Sequence, residues 1–278
     1  MTTPPTAAPS PSGNGPAGTR RPRTTARVVS LATIALGVAV IAGTVGSTAV
    51  TAASSFSLDR SSRDAAVAGV TEIDADVAHG GLTVVFDDVE RARLDVQREG
   101  DGAAWTLRRD GDTLEVSSPD SPWFGGRARG SSATLVLPNE LADGVLSGRF
   151  DVGAGVLGLD GDWAALEIDL AGGRVTFDGA TRAIDLTVAG GSARTDATGV
   201  DDARFELAGG ELTALLRGEA PARTEVEVTA GSANITLPDE EYRVNTDAEM
   251  GSLENRLRAG AGSDVPVVDV TATFGSVL

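Results

Sequence analysis

The stretch Leu166-Glu167-Ile168-Asp169-Leu170-Ala171-Gly172-Gly173-Arg174-Val175-Thr176-Phe177 decides the fold. Apolar and polar residues alternate, a glycine interrupts, and the alternation resumes. A period of two places Leu166, Ile168 and Leu170 on one face of a strand and Glu167 and Asp169 on the other. The phrase returns as Ile184-Asp185-Leu186-Thr187-Val188 before Gly191 and as Phe205-Glu206-Leu207 before Gly210. It returns again as Val226-Glu227-Val228 before Gly231 and as Val268-Asp269-Val270 before Gly275. With the glycine as anchor, the series is Gly155, Gly173, Gly191, Gly210, Gly231, Gly251 and Gly275, spaced by 18 to 24 residues, with an earlier copy around Gly80.

Apolar or small residues recur three, five and seven positions before the anchors and two and four after them. A β phrase repeated every ~20 residues signals stacked coils, each burying its apolar face only against its neighbours. The reading is all-β: a single-stranded β-solenoid (β-helix), irregular over 69–145 and regular over 146–278. An antiparallel β-sandwich also has short strands at even spacing, but nothing in it preserves fixed offsets around a glycine. The anchors suit corners that need positive φ or close backbone approach.

Outward from the repeat, composition narrows the function. The net charge of −17 and pI near 4.4 exclude a nucleic-acid binder. There is no cysteine, so disulfides, thiol catalysis and Cys-ligated zinc are excluded. Aromatic residues make up 4%, so the core must be Val, Leu, Ile and Ala. Residues 1–27 hold six of the twelve prolines and no acidic residue, and read as a disordered cytoplasmic tail. Residues 28–53 carry no charge and read as a transmembrane helix that binds the membrane, preceded by Arg20, Arg21, Arg23 and Arg27. The positive-inside rule then puts the N-terminus in the cytoplasm and the C-terminal domain outside. The alternative is a cleaved signal, with secretion. Residues 54–68 read as a polar stalk and 69–278 as the extracytoplasmic solenoid.

No catalytic or cofactor-binding signature emerges. His79, the only histidine, has no partner motif and reads as a surface residue. Polar positions four and six before the anchors stack into ladders that are mostly acidic: Glu167, Asp169, Asp185, Glu206, Glu225, Glu227, Asp247 and Asp269, with Arg149 and Arg204 as counter-charges. Such ladders suit weak Ca²⁺ binding or a basic partner, or are simply a solvated face. Trp123, Phe124 and Arg127 lie in a Gly-rich loop that suits protein or glycan contact, or plugs the first coils. The chain ends mid-phrase at Val277-Leu278, which points to self-association or to protection by the 256–266 insertion.

The Leu137-Pro138 and Leu237-Pro238 endings, the Gly-Gly corners and Phe274-Gly275-Ser276-Val277-Leu278 resemble the bacterial "putative adhesin" family of unknown function. The resemblance implies a short right-handed β-helix tethered outside the membrane, with no catalytic residue to carry over. The expected function is a non-enzymatic, membrane-anchored cell-envelope protein, an adhesin-like scaffold or interaction module. The alternatives are an envelope-stress sensing ectodomain and a carbohydrate-active β-helix enzyme.

Overall fold

The computed structural model describes residues 58–99, 104–119 and 131–278. They are all-β, and the one helical element among them is a 3-10 turn at Asn139–Leu141. The N-terminal part contains β1 (Leu58–Ala65), β2 (Glu72–Asp87), β3 (Ala92–Glu99), β4 (Thr106–Asp110), β5 (Thr113–Ser117) and β6 (Ser131–Pro138). The repeats follow as β7 (Ser147–Leu170), β8 (Gly173–Val188), β9 (Ser192–Thr198), β10 (Asp202–Leu207), β11 (Glu211–Arg217), β12 (Arg223–Val228) and β13 (Ser232–Thr236). The last elements are β14 (Glu241–Ala248), β15 (Ser252–Leu253), β16 (Arg258–Ala259), β17 (Val267–Ala272) and β18 (Ser276–Val277).

Two parallel ladders run side by side. The residues before each anchor form the first: β2 pairs β7, β7 pairs β8, and β10, β12 and β17 follow in parallel. Within β7, the chain doubles back over itself: Ala164 N–H donates to Leu146 O and Ala171 N–H to Val152 O, both at 2.8 Å. The residues after the anchors form the second ladder, through β8, β9, β11, β13 and β18. Register is kept throughout, so Leu166 lies opposite Ile184 and Leu186 opposite Phe205. The apolar positions are consequently buried, with Leu170, Val188, Leu207 and Val228 each at most 1% exposed. One coil contributes one half-apolar strand to each ladder, so only the stack makes a core. Phe150 and Phe86 pack edge-on against Trp163, at centroid distances of 5.8 and 5.7 Å; Phe150 and Trp163 fill the space left by Gly148, and Phe86 that left by Gly161.

Both ends of the stack depart from sequence order. The coil of β5 and β6 lies outside β2, not between β2 and β7. At the other end, β17 is inserted between β12 and β14, and β18 between β13 and β15. A coil-by-coil progression through Gly251 to Gly275 is therefore corrected: the outermost coil is the penultimate one. The physical reason is apolarity. Val268, Val270 and Ala272 line the inner face of β17, where the equivalent positions in β14 are Val244, Thr246 and Ala248. The more apolar strand gains more from being covered on both sides.

The irregular N-terminal part is an antiparallel cap. β3 pairs antiparallel with β6, β1 with β3, and β4 with β5 across the Gly111 turn (φ +62°). This corrects the stalk reading for residues 58–68. β1 is a strand of the cap, and Ala65 and Val67 are buried, because their small apolar side chains complete its inner face. Residues 28–53 and the loop with Trp123, Phe124 and Arg127 lie outside the described residues. Among the described residues no helix is long and apolar enough to cross a membrane.

Candidate functional site

The anchor glycines form one column. A Cβ on Gly173 would stand 2.0 Å from Gly155 O, one on Gly191 2.3 Å from Gly173 O, and one on Gly210 2.2 Å from Gly191 O. Gly155, Gly231, Gly251 and Gly275 likewise face the carbonyl of a neighbouring anchor, and Gly80 faces Ser131 O. This column is a corner, and its tight contacts hold the ladders in register so that polar side chains align across coils.

The alignment places Asp74, Arg149, Glu167, Asp185, Arg204, Glu225 and Asp269 in one row across the first ladder. A groove of about 420 Å³ runs along this row from Arg149 to Glu225, with Glu72 and Arg223 also in its walls. Arginines are interleaved with the acids. Arg149 donates two bonds to Glu167, at 2.7 and 2.6 Å. Arg204 bridges Glu206 on its own strand and Glu225 on the next, the latter at 2.6 Å. Arg223 reaches Asp269 at 3.2 Å, and Asn245 Nδ2 donates to the same carboxylate at 2.8 Å. Side chains in the Arg204 trio are 25–34% exposed, so water screens these pairs less than fully exposed ones. The expected Ca²⁺ ladder changes character accordingly. Four of its carboxylates, Glu167, Glu206, Glu225 and Asp269, are engaged by arginines, and among the described residues no three acidic or histidine side chains are placed to hold a metal ion.

The neighbouring row is less neutralised. Asp76 lies opposite Asp151, and the doubling of β7 brings Asp169 beside Asp151. Burial first, then Asp76, raises the carboxyl of Asp151 above the ordinary aspartate value, opposed by Arg149. Burial, then Asp151 and Glu167, raises that of Asp169, opposed by a hydrogen bond from Thr187. Glu206 and Glu227 continue this row across β10 and β12, and Asp247 belongs to it on the outermost strand. His79 is half-buried beside Gly80, and its Nδ1 is enclosed without a partner among the described residues.

The row is legible in the sequence, but its pairing is not. Arg149 and Arg204 read as counter-charges from their offsets, whereas Arg223 carries no such signal, because its partner Asp269 lies 46 residues away on the displaced β17. Nor does the alternation single out Tyr242, which is buried and donates to Pro238 O at 2.9 Å. Burial, with Glu240 and Asp239 nearby, pushes that phenol up to about 12.

No family model matches the chain, and no curated protein matches it. Solved structures overlap it loosely. A "putative cell adhesion protein" from Clostridium sporogenes is 9% identical, with 80% of this chain and 98% of that one covered, at a TM-score of 0.34. A "putative adhesin" from Bacteroides fragilis is 12% identical, covering 79% and 96%, at 0.31. Another from Parabacteroides distasonis is 11% identical, covering 79% and 97%, at 0.27. Scores this low establish neither a common fold nor a common function.

Proposed function

We propose that this chain is a non-enzymatic interaction module of the cell envelope, a right-handed β-solenoid carried outside the membrane by residues 28–53. The observation that supports this reading is the groove across the coils. Its side chains carry both signs, and each arginine is held by a carboxylate from its own or a neighbouring coil. An array of oriented, mutually paired charges offers a partner many weak complementary contacts, which confer specificity more than affinity. The reading takes the occupant to be a protein or glycan surface carrying both signs of charge.

The test compares cells displaying the full chain with cells displaying Arg149→Glu/Arg204→Glu at matched surface level. Adherence to neighbouring cells should fall with the variant and with rising salt. Unchanged adherence would reject the groove as the contact face. Release of reducing ends from envelope glycans by the purified chain would overturn the non-enzymatic reading.

A further inference from the structure

The two ends of the stack are built differently. At the end where β1 lies, antiparallel strands cover the first coil, and β1 and β4 carry Arg60, Arg63, Arg108 and Arg109 along the outer edges. Charged edge strands resist pairing with another chain. The other end has no such cover among the described residues. Beyond Tyr242, where β16 sits beside β14, neither β14 nor β15 has a strand on its outer side. The core is open behind this edge. A cavity of about 400 Å³ is lined by Ile235, Leu237, Val244, Leu253 and Leu257, and inward-facing Thr246 is exposed.

We propose that this open end pairs with the same end of a second copy, β14 running antiparallel to β14 about Asn245. Three observations select this occupant. With one end capped, head-to-tail stacking is blocked, and like ends meeting about a two-fold axis give a closed dimer instead of a filament. Arg243 N–H donates inward to Pro266 O, so the backbone groups of Val244, Thr246 and Ala248 point outward. In an antiparallel register about Asn245, Val244 meets Thr246 of the other copy, and their outward groups bond each other. The same register sets Arg243 opposite Asp247. Arg243 otherwise reaches only the carbonyl of Gly262, at 3.3 Å, and Asp247 has no partner among the described residues. The two apolar mouths then close on each other, which removes Val244, Leu253 and Leu257 from water. The charged groove is lined no further than Arg223 and Glu225 on β12, with β17 between it and β14, so the dimer leaves it open.

The full chain in mild detergent, followed by sedimentation, provides the test. Wild type should dimerise, Arg243→Glu and Asp247→Arg should each weaken the dimer about tenfold or more, and the double reversal should restore it. These side chains are exposed, and unchanged circular-dichroism melts identify variants that remain folded. The absence of cysteine permits a second measurement. Asn245→Cys should oxidise to a disulfide-linked dimer, because directly opposed residues of an antiparallel pair lie within disulfide reach. Arg108→Cys, at the capped end, should not. A strict monomer, a dimer indifferent to both single reversals, or equal crosslinking at positions 245 and 108 would overturn the proposal. Failure of the groove variants in cell adherence would leave this dimer intact, so the two readings fail separately.

Discussion

Thr195 and Thr224 point into the core where every neighbouring coil has an apolar or small residue, and their hydroxyls find no partner among the described residues. A buried, unbonded hydroxyl costs free energy that an isosteric methyl does not. Thr224→Val should therefore raise stability by about 1 kcal/mol in chemical denaturation. Asp151 and Asp169 show the opposite sensitivity, to pH. Because both carboxyls are raised in the folded state, the stability they contribute is present below the unfolded aspartate value and lost as pH rises through the folded one. Asp169→Asn should thus be more stable than wild type at pH 7 by a few tenths of a kcal/mol. That gap should close as the pH is brought below about 4. Paired melting curves across pH would check it, and a gap independent of pH would reject the electrostatic cause. At Gly173, φ is +103° and a Cβ would collide with the carbonyl of Gly155, whereas Gly111 has positive φ but open space around it. Gly173→Ala should cost at least ~2 kcal/mol, and Gly111→Ala only the backbone strain of about 1.

At the scale of elements, the inserted β17 is the most consequential strand. It is last but one in the sequence, yet is hydrogen-bonded on both sides, to β12 and to β14. Chain ends usually fray first. In the monomer the amides of β17 should exchange more slowly than those of β14, whose outer side is open beyond Tyr242. Hydrogen exchange resolved by residue would show it, and faster exchange in β17 would mean that the terminal coil opens independently. Strand existence was legible from alternation, because each coil repeats apolar residues at fixed offsets from a glycine. Strand order was not. Nothing local in Val267–Ala272 distinguishes pairing with β14 alone from insertion between β12 and β14. That choice depends on the relative apolarity of whole coils, a non-local comparison. The same limit hid Arg223: its bond to Asp269 exists only because β17 lies next to β12.

For the whole molecule, charge matters most. All 40 acidic residues follow Arg27, and four of the 23 arginines do not, so the folded region is more acidic than the net −17 of the chain. Its ion pairs are mostly exposed, and such pairs contribute about 0–1 kcal/mol each. Self-repulsion over the rest of the surface opposes the compact state. Raising NaCl from a few millimolar to about 0.15 M, where the Debye length falls to ~8 Å, should therefore raise the melting temperature. A fall would show that the interleaved arginine pairs outweigh the repulsion.

What the sequence determined by itself is the strand repeat: the period, the alternation of buried and outward positions and the glycine corners, since these depend on residues close together in the chain. Glu167 and Asp169 could be placed on the outer face from alternation alone. Tertiary structure decided which coil lies beside which, where the stack is capped and where it is open, and which arginine meets which carboxylate. Those outcomes rest on competition among coils for cover from water, and local periodicity is the same for every contestant.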